Sequence, residues 1–139
     1  MGWFGHGIYD GDETQTRHYD FIKWAKIEKD EDILYEWIGM RKTKIPKHKL
    51  YLLSKNYELI IKKIGKIPKY WNEDNAIEWQ MLLSLFIDNC VKAPKIIYDA
   101  GILASEYLLS DYAEEYDYPS RRRRALRNFI EKANKNNAK

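Results

Sequence analysis

The chain has 139 residues, enough to bury a hydrophobic core without disulfides or metals as staples. Hydrophobic residues at 45% and charged residues at 32% are the balance of a globular domain, which excludes a disordered chain, and a single cysteine excludes an internal disulfide. The formal net charge is only +3, so any electrostatic preference for a partner has to come from how the charges are distributed.

The amino-terminal residues carry four of the seven glycines within the first eleven positions, alternating with Trp3, Phe4, Ile8 and Tyr9. Glycine at that density disfavours a helix and permits tight turns, while the aromatic rings supply surface to bury. Residues 1–11 are therefore expected to form a loop or short extended segment packed on the body. They do not read as a secretory signal, which needs a basic and then an apolar stretch. His6 stands where a myristoylation signal wants Ser or Thr.

A first helix is expected from a cap at Asp12 or Thr14, with Phe21, Ile22, Trp24 and Ile27 in loose helical period. A second follows the acidic stretch Glu28 to Asp32 and covers Ile33 to Met40, turning Leu34, Trp37 and Ile38 inward. Pro46 suits the first turn of a third, in which Leu50, Leu53, Tyr57, Ile60, Ile61 and Ile64 keep three- and four-residue spacing and Gly65 ends the run.

Asn72 or Asp74 can cap a fourth helix running to Val91, apolar around most of its circumference with Gln80, Ser84 and Asp88 as a narrow polar stripe. That helix should be central, and Cys90 near its end reads as a small core residue. Pro94 opens a fifth, where Ile97, Ala100, Gly101, Ala104 and Leu108 share a face whose small residues admit a neighbouring helix. A last helix runs from Pro119 or Ser120 to Ala133, burying Leu126, Phe129 and Ile130, and residues 134–139 are expected to fray. The fold class is a mostly all-α, compact bundle of five to six helices in a single domain spanning 1–139, with no run apolar and long enough to cross a bilayer. A cytoplasmic location is the expectation.

Charge is laid out in blocks. Residues 41–69 hold ten Lys/Arg and one acid, namely Arg41, Lys42, Lys44, Lys47, Lys49, Lys55, Lys62, Lys63, Lys66 and Lys69 against Glu58. Residues 106–118 hold five acids and no base, and residues 119–139 hold eight Lys/Arg and one acid. The run Arg121, Arg122, Arg123, Arg124 lies near the start of its helix, where the backbone dipole disfavours cations. Glu114, Glu115 and Asp117 are the acids placed to compensate it. These basic and acidic blocks are the candidate partner-binding residues.

Chemistry-bearing patterns are sparse. His6, Asp10, Asp12, His18 and Asp20 form the one dense group of possible ligands, but Phe21 occupies the place of the closing glutamate of a calcium loop, and the histidines lack helical zinc spacing. Turn and cap roles account for the aspartates, and neither a metal nor a cofactor is expected. No phosphate-binding loop, dinucleotide fingerprint or serine elbow is present.

The opening Met1-Gly2-Trp3-Phe4-Gly5-His6-Gly7-Ile8-Tyr9-Asp10-Gly11-Asp12 resembles the start of a bacterial family known as domain of unknown function 4259, whose members begin Met-Gly-x-Trp-Gly-x-Gly-x-Phe with Asn-Asp soon after. Gly5, Gly7 and Asp12 match, whereas Phe4 replaces Trp, Tyr9 replaces Phe and Gly11 replaces Asn. The resemblance implies a small bacterial or phage protein and brings no catalytic residues with it. Trp3, Phe4, Gly5, Gly7 and Asp12 are its structural motif.

The leading expectation is a small macromolecule-binding protein that acts on a protein partner as an inhibitor, immunity factor or regulator. Its features are surplus aromatics and charge blocks able to steer association. The alternative is nucleic-acid binding by the two Lys/Arg blocks, which requires them to share a surface. A carboxylate-based hydrolase is the third, since acids distant in sequence can meet in a fold.

Overall fold

The computed structural model describes residues 8, 14, 16–112 and 119–138. Six α-helices make up the described chain: α1 (Arg17–Trp24), α2 (Glu31–Tyr35), α3 (Tyr51–Ile64), α4 (Glu73–Asp88), α5 (Lys95–Tyr107) and α6 (Pro119–Asn137). Short 3-10 turns at Ile38–Met40 and Lys47–Lys49 and a π turn at Leu108–Tyr112 join them, and no strand occurs among the described residues. The all-α bundle expected from the periodicity is the fold observed.

The centre is α4. Asn72 opens it through a capping box, its side chain accepting from Asn75 N at 2.9 Å while Asn75 Oδ1 accepts from Asn72 N at 2.9 Å. From Ala76 to Ile87 only Glu78 escapes burial, so the helix is covered on nearly every side. α5 makes the most extensive contact with it. The shared face Ile97, Ala100, Gly101, Ala104 and Leu108 is fully inside. A Cβ added at Gly101 would lie 2.6 Å from both Cβ and Cδ2 of Leu83, so the glycine sets how closely the two helices approach. α1 and α6 cover other sides of α4, and α3 packs on α1.

Two of the three residues in the polar stripe of α4 are not at the surface, and only Asp88 is partly exposed. Gln80 and Ser84 are fully buried and tie α4 to its neighbours: Gln80 Nε2 donates to Ser105 Oγ on α5 at 3.2 Å, and Ser84 meets His18 of α1. Burying a hydroxyl or an amide N–H is costly unless it is bonded, and these bonds offset that cost for the Ser84 hydroxyl and Gln80 Nε2.

Helix ends account for most departures from the expected boundaries. α4 stops at Asp88, not Val91, because Cys90 adopts a left-handed conformation (φ 56°) that lets Cys90 N reach Ile87 O and Val91 N reach Phe86 O, both at 3.0 Å. This Schellman closure usually carries glycine. It places Cys90 at the exposed turn, so the cysteine is not the core residue its apolar neighbours suggested. α1 ends the same way on Lys26 (φ 57°), with Lys26 N bonded to Lys23 O and Ile27 N to Ile22 O at 3.1 Å.

The second helix is shorter than expected, since Asp30 caps it at Glu31 and left-handed Gly39 (φ 70°) lies in the short 3-10 turn that follows. Pro46 starts a 3-10 turn that leads into α3 instead of opening the helix itself.

α6 continues to Asn137, through residues expected from the sequence to fray. Asn136 Nδ2 donates to Val91 O at 2.9 Å, Asn137 Nδ2 donates to Ala93 O at 3.1 Å, and Ala93 N donates back to Asn137 Oδ1 at 2.9 Å. Tyr98 adds a hydroxyl contact to Asn134. The asparagines clasp the α4–α5 connection at Val91 and Ala93.

Candidate functional site

The most apolar concavity among the described clefts lies where α3, α4 and α5 meet, and chain geometry builds it. α3 terminates on Gly65 (φ 90°), whose N–H closes on Ile61 O at 2.8 Å. A side chain there would strike nothing within 4 Å, so the glycine is required for its backbone angle and not for space. The chain then leaves the helix axis and projects Lys66 and Ile67 beside the last turn of α3. Across the gap, Pro94 starts α5 and sets Ile96 in its first turn.

The result is a groove of about 430 Å³ with Trp79 as its floor, Ile61 and Ile96 as walls, Ile67 as a lip, and Lys62 and Lys66 along the edge. Trp79 is nearly buried at 2% exposure, whereas Ile67 and Ile96 are each 41% exposed. Two half-open isoleucines above a buried indole make an apolar surface with no covering element among the described residues. The volume is within the roughly 300–1,000 Å³ usual for ligand sites. Its edge is cationic, because residues 59–72 contain four lysines and no acid.

The predicted basic residues fall into different roles. Arg41, Lys44, Lys47, Lys62 and Lys63 are exposed, as are Lys55, Lys66 and Lys69. Lys42 is half-buried, 3.5 Å from Glu36 and over the Trp37 ring at 5.9 Å. Lys49 is taken up by Glu28 at 2.8 Å; that hydrogen bond holds the mostly buried Glu28 carboxyl below its usual range.

In the second block, Arg121 and Arg124 are exposed and Arg123 is half-buried, but Arg122 is completely buried. Arg122 is thus no surface contact residue. It shares a helix face with Leu126, Phe129 and Ala133, all inside, so its position points to the core and its aliphatic stem packs there. Arg123, Arg124 and Arg127 line a second, polar cleft of about 530 Å³ with Ser120, Asn128 and Glu131. α3 packs on α1 whereas α6 packs on α5 and α4, so the helices that carry parts of the two basic blocks are not an extensively packed pair.

Glu114, Glu115 and Asp117 lie outside the described residues, as do Trp3, Phe4, Gly5, Gly7 and Asp12. Two neighbours of that motif are described: Ile8 and Thr14 are both buried, and Ile8 lies beside Ile87, Ala125 and Phe129.

His18 and Ser84 have the separation of a base and a nucleophile, with Nε2 2.8 Å from Oγ. The resemblance ends there. Both are fully buried, and the Ser84 hydroxyl donates to Met81 O at 2.7 Å, leaving its lone pairs to accept from the His18 Nε2–H, which also reaches Met81 O at 3.1 Å. The His18 ring packs against Phe21 and Trp37. Burial lowers its pKa from 6.5 to about 4, against the raising effect of the Met81 bond, so the ring is neutral at ordinary pH.

Between α1 and α4, burial raises the carboxyls of Asp20 and Glu78, with Arg17 opposing both and standing 3.6 Å from Glu78. No group of three or more His, Cys, Asp or Glu able to hold a metal occurs among the described residues. No described helix is long and apolar enough to cross a membrane.

The groove was not foreseen from sequence. Ile67 falls between Gly65 and Pro68, outside any periodic run, and Ile96 lies off the face shared by Ile97 and Ala100; those two misplaced isoleucines were the available signal. The chain matches no family model, no curated protein and no solved structure.

Proposed function

We propose that this chain works by binding another protein, as an inhibitor, immunity factor or regulator of bacterial or phage origin. The observation that carries the reading is the open groove over Trp79, an apolar surface edged by lysines, which suits an acidic protein surface with apolar anchors. Charged edges set encounter rate and partner choice, and apolar centres supply most of the binding energy.

A photo-cross-linking residue at position 67 should trap a protein in the native cell, and one at position 127 should not. The purified pair should then lose at least about tenfold in affinity on Ile96→Asp, which costs about 1.4 kcal/mol or more. Equal trapping from both positions would refute the groove as the contact.

The polar cleft of Arg123, Arg124 and Arg127 favours a second reading, nucleic-acid binding. It requires affinity that falls steeply with salt and a slope that flattens when these three become glutamine. With Arg122 buried and the two blocks on different helices, the described cationic surface is narrower than the sequence suggested, and the protein-binding reading is preferred.

A further inference from the structure

We infer that the groove over Trp79 receives an acidic amphipathic α-helix, an inference that rests on the protein-binding reading. Three properties lead to it, and the first is the kind of wall. Ile61 and Lys62 come from α3, Trp79 from α4 and Ile96 from α5, the loop after α3 adds Gly65, Lys66 and Ile67, and no strand edge exists among the described residues. Backbone groups inside a helix are already bonded to one another, so an extended peptide laid along these walls would find few main-chain partners. A helix arrives with its own backbone groups satisfied and offers side chains alone.

The second property is the spacing of apolar surface. The groove is one concavity of about 430 Å³ that Ile61, Ile67 and Ile96 line together with the buried Trp79. Side chains three or four residues apart on a helix are about 5–6 Å apart and point the same way, so two of them can enter one concavity together.

The third is charge. Lys62 and Lys66 contribute their stems to the wall and keep their ends exposed, and Lys63 and Lys69 lie in the same acid-free stretch. Asp99, one turn along α5 from Ile96, is taken up by Lys95 at 2.7 Å. Glu58, one turn before Lys62, is the acid that α3 sets against these cations. Carboxylates flanking the apolar face of the entering helix would meet the lysine ends in partly desolvated positions.

The test uses the full chain and three designed peptides of about four turns: a Leu–Glu amphipathic helix, its Leu–Lys counterpart, and the Leu–Glu composition broken by a central proline. The readout is the indole N–H resonance of Trp79, assigned through Trp79→Phe, together with the dissociation constant.

The Leu–Glu helix should move the Trp79 resonance and bind at least about tenfold more tightly than either control. Lys62→Glu with Lys66→Glu, both exposed positions, should reverse the preference between the Glu and Lys peptides. Equal binding of the Leu–Lys helix would overturn the acidic character and leave an apolar protein site. Equal binding of the proline-broken peptide would overturn the helical one. Binding of the Leu–Glu helix that leaves Trp79 unmoved, or no binding of it at all, would overturn the inference as a whole. The position-67 cross-link, which uses no peptide, reports on the protein-binding reading separately.

Discussion

Replacing His18 with glutamine should remove a step of about 3 kcal/mol from the pH dependence of stability between pH 6.5 and pH 4. The imidazole is completely buried, and desolvation lowers its pKa from 6.5 to about 4. As pH falls through 6.5 the unfolded chain takes up a proton and the folded chain does not. The stabilisation from the neutral buried ring is therefore complete above pH 6.5, erodes across the window, and is gone below about pH 4. The shift from 6.5 to about 4, at about 1.4 kcal/mol per pH unit, gives the magnitude. Glutamine can still donate from Nε2 toward Met81 O and Ser84 Oγ, and it takes up no proton. Urea unfolding of both proteins across this range checks the idea. Carboxylates such as Glu28 tilt both curves alike, so the difference between the curves isolates the histidine. Two parallel curves would refute the argument and require the ring to stay ionisable inside the fold.

Two further outcomes concern helix packing and helix ends. Gly101→Ala should destabilise by about 1–2 kcal/mol in thermal or urea unfolding, because its Cβ would sit 2.6 Å from Leu83 Cβ and overpacking outweighs the better helix propensity of alanine. Cys90→Gly should stabilise by about 1 kcal/mol, because a β-carbon is unfavourable at φ 56° and the exposed thiol contributes no core packing.

The parts of the fold legible in the sequence are those where one residue has one physical meaning. Ile97, Ala100, Gly101, Ala104 and Leu108 repeat at helical spacing, and all of them are buried against α4. Asn72 caps α4, and Gly65 ends α3. What was hidden depends on residues used against type. Lys26 and Cys90 take the left-handed positions where glycine is the recognisable sign, so two helix ends were displaced or blurred. The asparagines at 134, 136 and 137 resemble a polar tail until the Tyr98 hydroxyl and the carbonyls of Val91 and Ala93 are seen in reach. Arg122 sits in a run of four arginines whose sequence gives no hint which one turns inward. The groove was invisible because it needs three helices and one left-handed glycine to converge.

Trp79 belongs at once to the packed centre of α4 and to the floor of the groove. Its upper surface cannot be reshaped for a different occupant without disturbing the layer beneath, so change at the floor carries a stability penalty that change at the margin does not. Lys62, Lys66 and Ile67 project from a helix end and the loop after it, where substitution disturbs little of the interior. A lineage of such proteins could therefore retune which partner it accepts through those marginal positions while the indole stays constant, and variation between related chains would gather around the groove's edge and leave its base untouched.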